Sequence, residues 1–407
     1  MPPPEIAVTG IGLITPAGTD TDSVWKTMAA GRCLAADDPV LDGLEVTISC
    51  PAPFDARTEL DARTVRRLDR FTHLALAAAR RSAADAALEP AGRIAQRIGV
   101  VLGVGSNSLH TYPAAFDRLT QGRPNSVSPL ALPRSVPNMA AAEVAADLGF
   151  LGPNFTVSSA CASGATALGI ARSLLLAGTC DVVLAGGAES ARSAMTATCF
   201  HQLRALSRRC ENPHQASRPF DADRDGFVLA EGAAVLVLER RDQARRRGAR
   251  ARALLRGFGA SADAHHPTAP HPHGRGAEQA ILAALKDAGL SPHDIHHINA
   301  HGTSTQAGDA VEAELYLRLY RGTPPPVTAS KSVLGHALGA AGAIEAALSV
   351  LAMEHQQVPP TANLVRQDAG RELDIVVRHP RALPLETVLS TSFGFGGQNA
   401  ALVLTTP

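Results

Sequence analysis

The sequence predicts a layered α/β protein. Short apolar runs that read as strands alternate with helical segments in both halves of the chain. Several of those helices are alanine-rich and apolar on more than one face, which marks helices packed between layers. At 407 residues the chain exceeds one ordinary core and suits two fused units. The natural division is 1–250 and 251–407.

In order, residues 5–8 form a short strand and Thr9-Gly-Ile-Gly turns out of it. That Gly-x-Gly lacks the third glycine and the downstream acidic residue of a dinucleotide fingerprint. Residues 22–31, with Trp25 and Met28, read as a helix ending at Gly31. Arg63, Arg66 and Arg67 cluster before a long alanine-rich helix at 71–87. Residues 98–104 form a buried strand that runs into Gly105-Ser106-Asn107-Ser108, and a helix starts at Asn138. A strand at 155–157, a helix at 165–176 and a strand at 181–185 follow. The stretch 204–227 is rich in Arg, Asp and Pro and reads as a surface excursion. Its Asp221-x-Asp-x-Asp-Gly226 is no EF-hand, because Gly232 stands where the twelfth-position glutamate belongs. A strand at 233–239 closes the first half.

The second half opens with a strand at 254–260. The loop 263–273 then carries His265, His266, His271 and His273 among prolines, without helix or hairpin spacing to aim zinc ligands. A mobile loop is the better reading. Helices at 276–289, 309–320 and from the His336 region to 353 alternate with strands at 295–298, 327–329, 374–377, 387–391 and 400–404.

Lys+Arg and Asp+Glu are each 38, so no global charge favours nucleic acid or a membrane surface. Only Lys26, Lys286 and Lys331 are lysines, so the placing of Lys331 beside His336 suggests a site where guanidinium would not fit. The six cysteines form no C-x-x-C pair, which excludes a zinc pattern and a disulfide framework and suits a reducing cytoplasm. The start, Met-Pro-Pro-Pro-Glu, lacks signal-peptide regions, and no run approaches the ~18 apolar residues of a membrane span. A soluble, cytoplasmic protein is expected.

Three separated segments carry the chemistry. Thr156-Val-Ser-Ser-Ala-Cys161-Ala-Ser-Gly-Ala165 places a cysteine at a strand-to-helix bend. Unpaired N–H groups and the positive end of the helix dipole stabilise a thiolate there. Asn299-Ala-His301-Gly-Thr303-Ser-Thr305 and Lys331-Ser-Val-Leu-Gly-His336 each set a histidine in a small-residue turn after an apolar strand. One cysteine and two such histidines, without metal spacing, indicate thiol chemistry assisted by two imidazole donors.

With Ser392-Phe-Gly-Phe395-Gly396-Gly-Gln-Asn399, these motifs closely resemble the β-ketoacyl-acyl-carrier-protein synthases of the thiolase superfamily. The likeness spans essentially the whole chain, from Val8-Thr-Gly-Ile-Gly-Leu to the last strand. It implies the five-layer αβαβα thiolase fold, two similar halves sharing one site. It implies Cys161 as the acylated nucleophile and His301 and His336 as neutral donors to an enolate oxygen. Lys331 would shape the electrostatics around His301, with Glu345 as its partner, while Asp309 and Glu312 hold the scaffold. Phe395 would gate the acyl pocket, and its backbone N–H with that of Cys161 would form an oxyanion hole. Thr303 and Thr305 would bind the pantetheine arm, and Ser106, Asn107, Phe227 and Gly396 would line the substrate path.

The same resemblance leaves two readings for Arg63, Arg66, Arg67 and Arg204: a solvated face, or a docking patch for an acidic acyl carrier protein. It implies no metal or nucleotide cofactor, and a dimer with itself or with a chain-length-factor homologue. A thiolase would need a second cysteine beyond Cys210, and a chain-length factor would lack Cys161. A cysteine hydrolase would have no use for the second glycine-framed histidine. An initiation synthase generally pairs its cysteine with His and Asn. Elongation by decarboxylative condensation is therefore expected. The polar Ser106-Asn107-Ser108 loop, where fatty-acid enzymes carry glycine and aliphatic residues, tilts the pathway towards a type II polyketide system over housekeeping fatty-acid elongation.

Overall fold

The computed structural model describes residues 4–89, 92–106, 109 and 111–407. Ten strands form one continuous path: β1 (Ile6–Ile14), β2 (Ile98–Gly103), β3 (Asn154–Val157), β4 (Val182–Ser190), β5 (Leu229–Arg240), β6 (Ala253–Ala262), β7 (His297–Asn299), β8 (Val327–Thr328), β9 (Thr387–Gly394) and β10 (Gln398–Thr405). Their spatial order is β8-β7-β9-β10-β6-β1-β5-β4-β2-β3.

The two halves of that path repeat one pairing scheme. From β1 outwards, β5 and β4 join antiparallel, then β2 and β3 parallel. From β6 outwards, β10 and β9 join antiparallel, then β7 and β8 parallel. The halves meet at an antiparallel contact of β1 with β6, Ala7 opposite Leu254 and Val8 opposite Ala253. Thr156-Val-Ser-Ser and Val327-Thr-Ala-Ser resemble each other because β3 and β8 occupy the same outermost place in their halves.

Side-chain alternation assigns the layers. On β2, Val100 and Leu102 pack outwards with α1 (Arg70–Asp85) and α2 (Met139–Leu148), while Val101 points inwards. On β10, Ala401 and Val403 pack outwards with α4 (Arg275–Ala288) and α5 (Gln306–Leu319), and Leu402 and Leu404 inwards. The inner faces share one core with α3 (Ser163–Leu176) and α6 (Ala341–His355). This is the five-layer αβαβα arrangement. The central helices cross on small residues: a Cβ on Gly164 would lie 2.7 Å from the Ala343 nitrogen, and one on Gly342 2.9 Å from Ala165.

Three expectations fail, each through long-range packing. Thr9-Gly-Ile-Gly is no turn, because β1 runs straight through it. Gly10 and Gly12 are glycines because α1 lies against them: a Cβ would meet the Ser82 carbonyl oxygen at 2.3 Å and that of Ala78 at 1.9 Å. Residues 374–377 make isolated bridges, Ile375 to Val327 and Val377 to Thr361, without forming a strand. The 204–227 stretch is a surface excursion only in part: Arg208, Glu211, Asn212, His214 and Gln215 are exposed, whereas Ala205–Ser207 and Ala216–Asp221 are buried. Buried polar groups of the stretch tie it to the rest of the protein. Asp221 accepts from the Val365 and Arg366 amides, and Arg224 donates to the Thr305 and Gln306 carbonyls.

Candidate active site

Cys161 lies in the single turn Ala160–Ala162 between β3 and α3. Ala160 takes the left-handed region at φ 48°, which makes the bend tight enough to place the thiol ahead of the helix. The Phe395 amide donates towards the sulfur, and Lys331 adds positive charge. Burial outweighs both and pushes the thiol up to about 11. Desolvation therefore works against the thiolate that the helix terminus favours, at a thiol that is itself only partly buried.

His301 follows β7, and its backbone is gripped by the first turns of α5. Glu312 accepts from the His301 and Gly302 amides at 2.7 and 2.8 Å, and Asp309 from the Thr303 amide at 3.0 Å. His336 sits in the loop after β8. Its amide donates to the Val228 carbonyl at 2.7 Å and its ring stands edge-on to Phe227, centroids 5.2 Å apart. The two imidazoles are 5.6 Å apart and nearly perpendicular. Burial holds both pKa values well below the usual histidine range, with Lys331 adding repulsion, so both rings are neutral at pH 7.

Lys331 donates to the His301 carbonyl at 2.6 Å, forms an ion pair with Glu345, and lies 3.4 Å from His301 Nδ1. An ammonium can only donate, so Nδ1 is the acceptor and the His301 ring proton sits on Nε2. Burial pushes Glu345 up to about 7 against the pull of Lys331.

Cys161, His301, His336, Phe227, Phe395, Thr303 and Thr305 all border one cavity of about 550 Å³. The Thr303 and Thr305 hydroxyls lie 3.0 Å apart. Arg204 lies at its edge and is exposed. Phe200, which the sequence reading passed over, packs against both Phe227 and Phe395 at 5.2 and 5.9 Å. No local signal marks it. The loop 263–273 covers the cavity through Thr268, Ala269 and Pro270. It is tied to the Phe395 loop by Asn399 to Asp263 at 2.8 Å and Gly396 N–H to the Pro267 carbonyl at 2.7 Å.

Other expected residues lie elsewhere. Gly396 does not line the cavity, because its amide is turned to Pro267. Ser106 is also off the cavity wall: its hydroxyl donates to Glu189 at 2.8 Å. Asn107, with Ser108, falls outside the described residues. Glu189, unnoticed in the sequence, is a buried carboxylate that also accepts from the Gly105, Ser106 and Gly339 amides. It thereby pins the Ser106 loop to the turn after His336. Arg63 and Arg66 are exposed, whereas Arg67 is committed to a two-pronged pair with Glu143 of α2. Among the described residues no group of three His, Cys, Asp or Glu is placed to hold a metal, and no helix is long and apolar enough to cross a membrane.

The β-ketoacyl synthase N-terminal domain family matches residues 4–244 and the β-ketoacyl synthase C-terminal domain family residues 252–365. The 3-oxoacyl-[acyl-carrier-protein] synthase 2 of Synechocystis sp. is 40% identical over 408 residues, covering 98% of this chain and 97% of the relative. The ishigamide ketosynthase/chain length factor structure matches at TM-score 0.93 and 32% identity, covering 100% of both chains. A type II polyketide acyl-carrier protein in complex with its ketosynthase bound to the hexaketide matches at TM-score 0.92 and 30% identity, also over 100% of both chains. With a cysteine at a helix start facing two neutral imidazoles in one cavity, the chain belongs to the β-ketoacyl-acyl-carrier-protein synthases, acyltransferases of the thiolase fold.

Proposed function

We propose that the chain catalyses elongation: decarboxylative condensation of a malonyl group on an acyl carrier protein with an acyl group held on Cys161. The observation that carries this is the pair of neutral imidazoles, 5.6 Å apart, sharing a cavity with the thiol. In the first step the Cys161 sulfur attacks the acyl thioester, the carrier thiol leaves, and the thiol proton passes to it. In the second, the malonyl carboxylate departs as carbon dioxide and its bonding electrons form an enolate. The Nε2–H groups of His301 and His336 stabilise the enolate oxygen. The enolate carbon then attacks the acyl thioester carbonyl, whose oxyanion is met by the Cys161 and Phe395 amides. That attack forms the carbon–carbon bond; collapse of the oxyanion reforms the carbonyl and expels the Cys161 sulfur as a thiolate, which takes a proton from water. Thr303 and Thr305 hydrogen-bond the pantetheine arm, and no cofactor takes part.

The direct test offers the protein an acyl-carrier and then a malonyl-carrier thioester. Intact mass should show one acyl group on Cys161, followed by its loss as β-ketoacyl-carrier forms. Adduct formation without product would overturn the condensation.

We assign the partners on the same footing. The carrier docks at the cavity edge, with Arg63, Arg66 and Arg204 meeting its acidic face. Reversing those three charges should raise KM for carrier-bound substrate roughly tenfold at low salt, with less effect at high salt. Unchanged KM would leave the arginines as a solvated face. A second copy, or a chain-length-factor homologue, covers exposed Phe116, Leu119 and Leu132, which are 61%, 48% and 63% exposed. A reducing cytoplasm suits the free thiols.

A type II polyketide role is the finer reading. It is favoured by the likeness to the hexaketide-bound ketosynthase complex. The hydroxyl of Ser106 no longer argues for it, being spent on Glu189. The fatty-acid alternative is favoured by the 40% identity to a 3-oxoacyl-[acyl-carrier-protein] synthase 2. Turnover of saturated against polyunsaturated or oxygenated carrier thioesters separates the two: preference for the latter supports the polyketide role.

A further inference from the structure

Tyr316 lies on α5, one turn beyond Glu312, and is wholly buried. Its hydroxyl donates to Glu312 Oε1 at 2.6 Å and lies 2.8 Å from Thr391 Oγ1 on β9. Those two acceptors converge on one amide. The His301 N–H is 2.7 Å from Glu312 Oε1 and 3.1 Å from Thr391 Oγ1. A phenol has one proton, and the carboxylate takes it. The Thr391 hydroxyl then donates to the phenol oxygen or to Glu312, leaving a lone pair for the His301 N–H. The carbonyl of the same residue accepts from Lys331 at 2.6 Å. Residue 301 is thus clamped at its amide by a phenol-backed pair and at its carbonyl by an ammonium.

We infer that Tyr316 is a positioning residue for His301: it fixes Glu312 and Thr391, and through them the backbone that aims the imidazole into the cavity. This rests on the condensation reading above. Burial holds the Tyr316 phenol well above its ordinary pKa, so it remains a donor throughout the working range. Without its hydroxyl, Glu312 Oε1 loses a short hydrogen bond at a buried position, and the carboxylate is free to shift. A donor displaced by a fraction of an ångström loses its transition-state contact long before the fold is lost. Cys161 hangs from β3 and α3, which supply none of these hydrogen-bonding groups, so its acylation should be spared.

The test compares Tyr316→Phe with Tyr320→Phe, a control on the same segment whose buried hydroxyl has no partner among the described residues. Wild type is assayed first for Cys161 acylation by an acyl-carrier thioester and for condensation with malonyl-carrier. Tyr316→Phe should acylate at the wild-type rate with unchanged KM, while kcat for condensation falls roughly tenfold. Tyr320→Phe should match wild type in every step. If Tyr316→Phe fails to fold, Thr391→Val, which removes the hydroxyl that joins Tyr316 to the His301 amide, should show the same split. Condensation within twofold of wild type, an equal loss in acylation, or a loss confined to KM would overturn the inference. Wild type that acylates but does not condense would sink the proposed reaction itself, and the inference with it.

Discussion

Cys161→Ala should fold like wild type, take up no acyl group from a carrier thioester, and lose condensation by roughly 10⁴-fold or more. The substitution removes one sulfur from a turn whose shape comes from the Ala160 backbone and the Ser163 hydroxyl, which accepts the Ser159 amide at 2.9 Å. Among the described residues nothing else bordering the cavity is a cysteine, so no neighbour there can inherit the acyl group. Cys161→Gln, whose amide imitates an acyl thioester, should still decarboxylate malonyl-carrier. Acylation of Cys161→Ala at any other cysteine would refute the assignment. The pH dependence follows with a definite sign. Burial favours the neutral thiol, so alkylation of Cys161 in the free protein should still be rising above pH 9, towards a midpoint near 11. Lys331→Met should raise that midpoint further by removing the charge that opposes burial. A midpoint below the ordinary cysteine value of about 8.5 would contradict a desolvated site.

The three reacting side chains were legible because each occupies a run of small residues at a strand end. Such a pattern has a local cause: tight backbone beside a ligand. The layered architecture was legible for the same reason, since helices apolar all round need cover on both sides. What escaped is what depends on distant partners. Gly10 and Gly12 read as a turn, because the helix backbone that demands them arrives some seventy residues later. Arg67 looked like one of three equivalent surface cations until Glu143 claimed it. Ser106 looked like a polar group facing a ligand, yet its hydroxyl is spent on Glu189, a carboxylate on another strand. Tyr316 carried no motif at all. Its meaning comes from the convergence of α5, β9 and the His301 turn, three segments that only the fold assembles.

His301→Ala and His336→Ala should each reduce condensation roughly 10²- to 10³-fold, while acylation of Cys161 survives. The difference lies in where charge develops. In the proposed reaction, acylation builds an oxyanion beside the Cys161 and Phe395 amides, which neither histidine supplies. In the same proposed reaction, decarboxylation builds an enolate oxygen beside the two imidazoles, where one fixed donor is worth about 3 kcal/mol. Burial keeps both rings neutral, so the contribution is a hydrogen bond from a ring N–H and not a full positive charge. The two variants should nevertheless differ. His301 is the ring beside Lys331, and its loss leaves the ammonium bound to the 301 carbonyl and Glu345, so the site stays ordered. His336 packs edge-on against Phe227, which in turn contacts Phe200. Its truncation should therefore also loosen the aromatic wall and blunt acyl-chain discrimination. Single-turnover assays separate these effects: acyl-Cys161 formation followed by mass, then the rate of its discharge on adding malonyl-carrier. Discharge within tenfold of wild type in either variant would remove that histidine from the two-donor mechanism.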